Sequence, residues 1–271
     1  MRIPARLAPA LLVPLALLGA AACSTGTTSA TAGPTVAQSA DAPTTVGAAT
    51  DPSTEAPADD PGATTAPDAP TSDVSIAARV TAAKATIRAE AKDDAKVVTE
   101  VGQTTKLGSK TTLLALDVEG DWVQVALPIR PNGSTGWIKK SDVQLRPSTK
   151  AITVDLANHK LVLTDAGTTV LETDVAIGSK QNPTPAGQFY VTDLLDTGNA
   201  NGAYGPFAFG LSGHSDTLSE FGGGDGQLGI HGTNEPASIG QSVSHGCVRV
   251  PNDVVKQLVD LVPLGTPVTI S

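Results

Sequence analysis

The segment from His231 to Cys247 holds the side chains of this sequence that are best suited to covalent chemistry. A free thiol is only a few per cent ionised at neutral pH, and a neighbouring imidazole can take its proton when the sulfur attacks a carbonyl carbon. Gly232 lets the chain turn away after the histidine, and the loop that follows is long enough to bring the two side chains together. The segment therefore predicts a cysteine nucleophile, Cys247, with His231 as its general base.

Backbone groups complete the predicted site. Cys247 falls between a predicted strand and a predicted helix, where free N–H groups converge and the helix dipole favours a thiolate. The N–H groups of Gly246 and Cys247 are therefore candidates to stabilise an oxyanion in acyl transfer. Only Glu235 and Asp253 are acidic near this stretch, so a backbone carbonyl is the expected partner that orients His231.

Other interpretations of these side chains stay open. Cys247 could be buried and inert. His231, His245 and Cys247 could hold zinc, but the segment has no second cysteine and no C-x-x-C spacing, so a metal site is disfavoured and no cofactor is required. His214 lies in a loop rich in Gly, Ser and Asp. Lining the site and being a plain loop residue are equally good interpretations of it.

The periodicity of the apolar residues predicts a mainly β unit around the site, over residues 149–271. Short alternating runs separated by turns are typical of strands, and two of those predicted here are Thr169–Ile177 and Gln227–His231. One helix is predicted over Asp253–Leu261, because its apolar residues fall on one face and Asn252 can cap its first turn. The final strand, Thr266–Ile270, is expected at a sheet edge because Pro267 has no backbone N–H. The pattern is consistent with a curved β-sandwich.

Residues 76–147 form a separate run of short strands and turns, which predicts a small all-β barrel. The segment resembles a bacterial SH3-like domain in Thr86-Ile-Arg88, in the G-D-W-V-Q-V sequence around Trp122 and in the G-W-I sequence around Trp137. In that family such domains bind cell-wall peptides or pack against a catalytic partner, and both possibilities stay open here. The two tryptophans are expected mainly in the core, since so small a barrel needs large side chains inside.

Residues 1–22 resemble a bacterial export signal, with Arg2 and Arg6 ahead of a short apolar stretch. Small residues lead up to Cys23, as in the lipobox of bacterial lipoproteins, although that pattern prefers Leu where this sequence has Ala20. The resemblance implies a cell-membrane lipoprotein that faces the cell wall, anchored in the outer leaflet of the cytoplasmic membrane through a lipid on Cys23. The alternative is ordinary cleavage after residue 22, which would leave a secreted soluble protein.

The following stretch, residues 23–74, is rich in Ala, Thr, Ser, Pro and Gly and has no aromatic residue and no Lys or Arg. Such a composition cannot bury enough apolar surface to offset its ordering entropy, which predicts a disordered linker. Beyond the leader no apolar run reaches the ~18 residues that a membrane-spanning helix needs. The formal net charge of −9 argues against binding to a nucleic acid backbone.

The run from His231 through Ser244-His-Gly-Cys-Val-Arg249 resembles the signature of the L,D-transpeptidase catalytic (YkuD-like) family. That signature is a histidine, a loop of this order of length, then Ser/Thr-His-Gly-Cys and an arginine or asparagine shortly after. Two upstream segments are also similar to the family, namely its opening hairpin at Ile152–Leu163 and its Thr-Pro-x-Gly segment at Thr184–Gly187. The resemblance covers residues 149–271.

The resemblance implies a β-sandwich with Cys247 as nucleophile and His231 as general base and general acid. It also implies that the backbone carbonyl of Gly232 orients the imidazole, and that Ser244 and His245 shape the substrate site.

Peptidoglycan stem peptides are the substrates that the family implies. The cysteine would release D-Ala from a donor tetrapeptide, and the side-chain amine of a diamino acid on an acceptor stem would then take the acyl group, giving a 3→3 cross-link. Arg249 would either hold the loop or contact a stem carboxylate. Tyr204 would either line the donor groove or pack in the core. The family also implies that carbapenems acylate the cysteine.

Three alternative functions remain. Water as the acceptor would make the protein an L,D-carboxypeptidase, and a protein amine would make it an enzyme that anchors proteins to peptidoglycan. A cell-wall-binding lipoprotein without catalytic activity belongs to a different class, in which the SH3-like segment is the functional part. The intact pair of His231 and Cys247 argues against that last alternative.

Overall fold

The computed structural model describes residues 74–221 and 223–271. The predicted export signal, Cys23 and the predicted linker up to residue 73 lie outside the described residues. The described part belongs to one unit by its internal contacts, and it contains no helix that is long and apolar enough to cross a membrane.

Seven strands make up the first sheet. They are β1 Ser75–Val80, β2 Lys84–Arg88, β3 Val97–Gly102, β4 Thr112–Glu119, β5 Trp122–Ala126, β6 Thr135–Lys139 and β7 Val143–Ser148. Their order across the sheet is β3-β2-β6-β5-β4-β1-β7, and all the pairs are antiparallel. The all-β character predicted for this segment is confirmed, while its likeness to SH3-like domains stays a prediction.

The two tryptophans of the first sheet differ in burial. Trp122 is 8% exposed and belongs to the core, with the ammonium of Lys139 lying 5.3 Å from its ring centroid. Trp137 is half-buried. The expected core position is therefore confirmed for Trp122 and only in part for Trp137.

The described residues also contain two short 3-10 helices, Lys140–Asp142 and Pro236–Ser238, and from residue 149 onward ten strands and one α-helix. These strands and the α-helix are β8 Lys150–Asp155, β9 Lys160–Asp165, β10 Thr168–Asp174, β11 Ile177–Gly178, β12 Gly187–Asp196, β13 Phe207–His214, β14 Gln227–His231, β15 Ser242–Ser244, β16 Val248–Arg249, α1 Asn252–Leu261 and β17 Pro267–Ile270. Eight of the strands form a second sheet in the order β10-β9-β8-β17-β12-β13-β14-β16, and β11 pairs with β15 beside it.

β12 joins the two halves of the second sheet. Its first residues, Gly187–Tyr190, pair with β17, and its later residues pair with β13 across a register shift. Side chains from both halves, such as Leu163 on β9 and Phe209 on β13, meet in one apolar core. The sheet therefore folds over its own apolar face, as expected for a curved sandwich. The mainly β character predicted for residues 149–271 is confirmed.

The last strand lies in the middle of the second sheet, and the prediction of an edge position is wrong. β17 is parallel to β8 on one side and antiparallel to β12 on the other. Pro267 is tolerated there because it is the first residue of the strand, opposite Tyr190. Val268 and Ile270 are buried, so the apolar burial of this strand outweighs the one missing N–H.

The two sheets share a core residue. Tyr190 of β12 is fully buried and belongs to the apolar cluster of the first sheet, which also contains Ile87 and Val125. Its hydroxyl donates a hydrogen bond to the carbonyl oxygen of Ala126 at 3.0 Å. The first sheet thus packs against the second, which was one of the two possibilities left open for it.

Candidate active site

His231 is the last residue of β14 and is 5% exposed. Its Nδ1 lies 2.6 Å from the carbonyl oxygen of Gly232. A carbonyl can only accept, so Nδ1 carries the proton and the neutral ring keeps its lone pair on Nε2. Position 232 favours glycine because of its packing, since a Cβ there would lie 2.3 Å from Oδ1 of Asn252 and 3.0 Å from Cδ of Pro206.

The protonation state of His231 follows from its surroundings. Burial lowers the pKa of the imidazole to about 4; the Gly232 carbonyl opposes this shift, and the charge of Arg249 adds to it. The ring is therefore neutral at pH 7, with Nε2 available as a proton acceptor.

Cys247 lies in the turn between β15 and β16 and forms no disulfide within the described part of the chain. The parallel pairing of β16 with β14 sets Arg249 beside His231 and brings the turn alongside the end of β14. Cys247 and His231 line the same cavity, whose volume is about 190 Å³. No hydrogen bond joins their side chains among the contacts of residues 74–221 and 223–271.

The helix does not begin at the cysteine. β16 intervenes, and α1 begins at Asn252, so an effect of the helix dipole on Cys247, which acts only near the first turn, stays a prediction. Burial raises the pKa of the thiol, and the N–H of Gly229 and the charge of Arg249 oppose the rise. The thiol is consequently protonated at neutral pH and needs a base to react.

Ser244 shapes the turn that carries Cys247. Its Oγ accepts the N–H of Gly246 at 3.1 Å and donates to the carbonyl of Cys247 at 2.6 Å. The Gly246 N–H, predicted to hold an oxyanion, is therefore already occupied by a side chain. The N–H of Cys247 is in no hydrogen bond within the described residues, which makes it the better candidate.

Thr184 holds the other side of this turn. Its Oγ1 accepts the N–H of Gly178 at 2.8 Å and donates to the carbonyl of Gly246 at 2.8 Å. Thr184 was not among the predicted site residues. The Thr-Pro-x-Gly segment that resembles the family was the signal that could have identified it.

Three rings form the rim of the cavity. Tyr204 is 44% exposed and meets the His231 ring edge-on, with centroids 4.7 Å apart. Tyr204 therefore lines the cavity and does not pack in the core. Phe221 stacks on His245 with centroids 4.9 Å apart, so His245 takes part in the rim as well.

Arg249 forms an ion pair with Glu235, with Nη1 2.6 Å from Oε2. Glu235 belongs to the loop between His231 and Cys247, so the contact holds that loop, which was one of the two predicted roles. The start of the loop is also held, because Oδ1 of Asn252 accepts the N–H of Thr233 at 2.7 Å.

His214 does not line the catalytic cavity. It is buried, with Nε2 3.5 Å from Oδ2 of Asp225. The loop after it supplies Ser215, Leu218 and Phe221 to the cavity wall, and its Gly/Ser/Asp composition gave no signal of that role. No group of His, Cys, Asp and Glu that could hold a metal ion is found in residues 74–221 and 223–271.

Comparisons with known proteins point to one family. Residues 149–270 match the L,D-transpeptidase catalytic domain (YkuD). YkuD of Bacillus subtilis (strain 168) is 39% identical over 97 residues, which are 36% of this chain and 51% of that protein. ErfK/SrfK of Escherichia coli (strain K12) is 56% identical over 41 residues, which are 15% of this chain and 13% of that protein.

Among solved structures, the catalytic domain of the E. faecium L,D-transpeptidase is similar at 28% identity and a TM-score of 0.33, over 45% of this chain and 96% of that one. The chain spans 51 to 64% of the length of the two YkuD relatives from Bacillus that it matches. The match over residues 149–270 falls on the segment whose signature resembles this family.

Proposed function

We propose that the L,D-transpeptidase catalytic domain of this protein makes 3→3 cross-links between peptidoglycan stem peptides through a thioester on Cys247. The observation that carries the proposal is the hydrogen bond from His231 to the Gly232 carbonyl. It leaves Nε2 as the only basic atom of the ring, in the cavity that the thiol also lines. A nucleophile with an oriented base is sufficient for acyl transfer and needs no carboxylate.

In the first step the Cys247 sulfur attacks the carbonyl carbon between the third residue of the donor stem and D-Ala at position four. Nε2 of His231 accepts the thiol proton as the C–S bond forms, and the N–H of Cys247 binds the oxyanion. When the intermediate collapses, the C–N bond breaks and the imidazolium gives its proton to the departing amine. D-Ala leaves, and the donor stem remains as a thioester.

In the second step the side-chain amine of a diamino acid on the acceptor stem attacks the thioester carbonyl. His231 accepts a proton from this amine as the C–N bond forms. The C–S bond then breaks, and the sulfur takes the proton back from the imidazolium. The product is a new amide between two third-position residues, and the enzyme returns to its neutral state.

The protonation states suit this sequence of steps. Burial lowers the pKa of His231 and raises that of Cys247, so both groups are neutral before substrate binds. A neutral pair avoids the desolvation cost of a preformed buried ion pair. The proton moves only when sulfur attack begins, and the base stays available at any pH well above about 4.

Each predicted binding residue has a proposed role around His231 and Cys247. Tyr204 and His245 present rings at the rim of the cavity, where they would flank the donor stem. Ser244 holds the turn behind the sulfur. Arg249 also lines the cavity, so its guanidinium is within reach of a stem carboxylate while its ion pair with Glu235 holds the loop.

The reaction is proposed to take place outside the cytoplasmic membrane. This part rests on the export signal of residues 1–22 and on Cys23, which would carry the lipid anchor. Feeding cells a labelled fatty acid should label the full chain and should not label a Cys23→Ser variant. A wild-type protein without label would contradict the anchor and favour a secreted protein.

The decisive experiment is mass analysis of the muropeptides made by the purified protein from peptidoglycan with tetrapeptide stems. We expect release of D-Ala and dimers joined 3→3, both lost in Cys247→Ala. Tripeptides without dimers would instead indicate an L,D-carboxypeptidase, and a stem joined to a protein amine would indicate an anchoring enzyme.

A carbapenem distinguishes an enzyme from a wall-binding protein. The wild type should gain the mass of one inhibitor molecule, and Cys247→Ala should not. If neither an adduct nor any altered muropeptide forms, the proposal is wrong and a cell-wall-binding role is favoured.

A further inference from the structure

The first sheet reaches the wall of the catalytic cavity through one turn, which contains Arg130 and Asn132. We propose that Arg130 is a positioning residue: its guanidinium holds the pocket loop, defined as residues 215–221 and 223–226, in the arrangement that binds the donor stem. The role of Arg130 in binding the donor stem rests on the proposed function. Its role in holding the pocket loop rests on the observed contacts alone.

The guanidinium of Arg130 binds both ends of the pocket loop. Nη1 donates to the carbonyl oxygen of Ser215 at 2.8 Å, and Nη2 donates to the carbonyl oxygens of Leu218 and Asp225, each at 2.9 Å. These three carbonyls point at one place, and a planar guanidinium can serve them together because its N–H groups diverge in fixed directions. The ends of the loop are thereby joined across a side chain of the first sheet.

Asn132 secures the residue that precedes the loop. Its Oδ1 accepts the N–H of His214 at 2.9 Å, and its Nδ2 donates to the carbonyl of the same residue at 2.8 Å. Both backbone groups of His214 are therefore paired with one amide. The turn holds the chain at His214 and Ser215 in succession, which fixes the direction in which the pocket loop leaves β13.

The pocket loop forms one side of the cavity that contains Cys247. Ser215, Leu218 and Gly226 line that cavity, and Phe221 does so while stacked on His245. Gly226 shows how closely the backbone is packed around the guanidinium. A Cβ there would lie 2.1 Å from the Leu218 carbonyl oxygen and 3.0 Å from Nη2 of Arg130.

The reacting groups are held by other elements. His231 ends β14, and Cys247 sits between β15 and β16, which the sheet and Thr184 hold in place. Loss of the Arg130 contacts should therefore weaken binding of the donor and leave the chemical step nearly unchanged. Such a change raises KM with little effect on kcat.

The test compares Arg130→Ala and Arg130→Lys with Arg146→Ala in the full chain. Arg146 also belongs to the first sheet, but within the described residues its guanidinium donates hydrogen bonds only to Gln144. We expect KM for the donor tetrapeptide to rise about tenfold in Arg130→Ala, which corresponds to ~1.4 kcal/mol, with kcat within about twofold. Lysine keeps the positive charge but lacks the planar, diverging N–H groups of the guanidinium, so Arg130→Lys should resemble the alanine variant. Arg146→Ala should resemble the wild type.

A second measurement does not depend on activity. Hydrogen–deuterium exchange of the pocket loop should be faster in both Arg130 variants, while peptides from β1 to β7 keep their wild-type rates. Unchanged exchange in the loop would refute the positioning role. Faster exchange with an unchanged KM would refute its link to donor binding.

Faster exchange throughout both sheets, with kcat and KM both impaired, would mean that Arg130 serves only general stability, which also contradicts the proposal. If the wild type makes no cross-link and releases no D-Ala, the proposed function fails by itself. The exchange measurement then still decides whether Arg130 holds the loop.

Discussion

Arg249 and Glu235 form an ion pair, with Nη1 2.6 Å from Oε2, that ties the loop after His231 to the strand after Cys247. The side chain of Arg249 is 16% exposed and that of Glu235 is 64% exposed. The positive charge therefore acts in a poorly solvated cavity, while its partner remains largely in water. Burial has the larger effect on both groups, since it lowers the pKa of His231 and raises that of Cys247. The charge of Arg249 lowers the pKa of both.

Replacing Arg249 by glutamine should slow the reaction of the thiol with iodoacetamide. Without the charge the pKa of Cys247 rises further, and the rate at pH 7.5 should fall roughly three- to tenfold, because the thiolate is the reactive form. Glu235→Gln keeps the charge and serves as the control, in which the rate should not fall. Equal losses in the two variants would mean that the ion pair acts only by holding the loop.

Acid should destabilise the protein partly through His231. Its pKa in the folded state is about 4 against a reference value of 6.5, so between these values the unfolded chain binds more protons. The contribution of His231 to the free energy of unfolding is fully present above about pH 6.5. It is lost as the pH falls towards 4, and the loss is at most ~3 kcal/mol.

Urea unfolding at pH 7.5 and pH 4.5 checks this prediction. His231→Gln should lose less stability between the two values than the wild type. His159→Gln is the control, since His159 lies in the turn after β8 and contacts Ser242 near the surface. An identical loss in His231→Gln and the wild type would show that the imidazole is not kept neutral by burial.

Replacing Ser244 by alanine should destabilise the turn of the nucleophile. The change removes two hydrogen bonds and leaves the buried N–H of Gly246 without a partner, which together cost about 2–3 kcal/mol. Ser242→Ala, on the same strand but exposed, should cost at most about 0.5 kcal/mol. Chemical denaturation of both variants gives the comparison, and equal losses would contradict this role of Ser244.

Replacing Tyr190 by phenylalanine should lower the free energy of unfolding by about 1 kcal/mol. The ring would still fill the core of the first sheet, but the hydrogen bond to the Ala126 carbonyl would be lost. The single unfolding transition expected of one packed unit should be kept. Two separate transitions in the wild type would show that the sheets unfold independently.

Local pattern was sufficient to predict several elements from the sequence. The strand Gln227–His231 has the predicted bounds, and the helix begins only one residue before its predicted start. In each case the residues that define the element are neighbours along the chain, so their periodicity records which face is buried. The Ser-His-Gly-Cys motif is local as well, because Ser244 itself makes the hydrogen bonds to Gly246 and Cys247 that hold the turn.

Predictions that depended on neighbours distant in sequence were less successful. Pro267 indicated an edge strand, but the position of β17 between β8 and β12 depends on two partners far away in the chain. The expected strand over 169–177 is divided into β10 and β11, because β11 pairs with β15 instead of continuing in the sheet.

The sequence by itself determined the reactive pair. His231 and Cys247 are recognisable because thiol chemistry requires these residue types and both fall within one short segment here, and the scarcity of acids there pointed to a backbone carbonyl as the partner of the imidazole. Tertiary structure alone decided how the wall of the cavity is held and how the two sheets are joined. Arg130 and Tyr190 lie far from Cys247 in the chain, and they bind backbone carbonyls, which every residue carries. Such contacts cannot be predicted from residue types, because any residue can supply the carbonyl, and only the packing of the two sheets shows them.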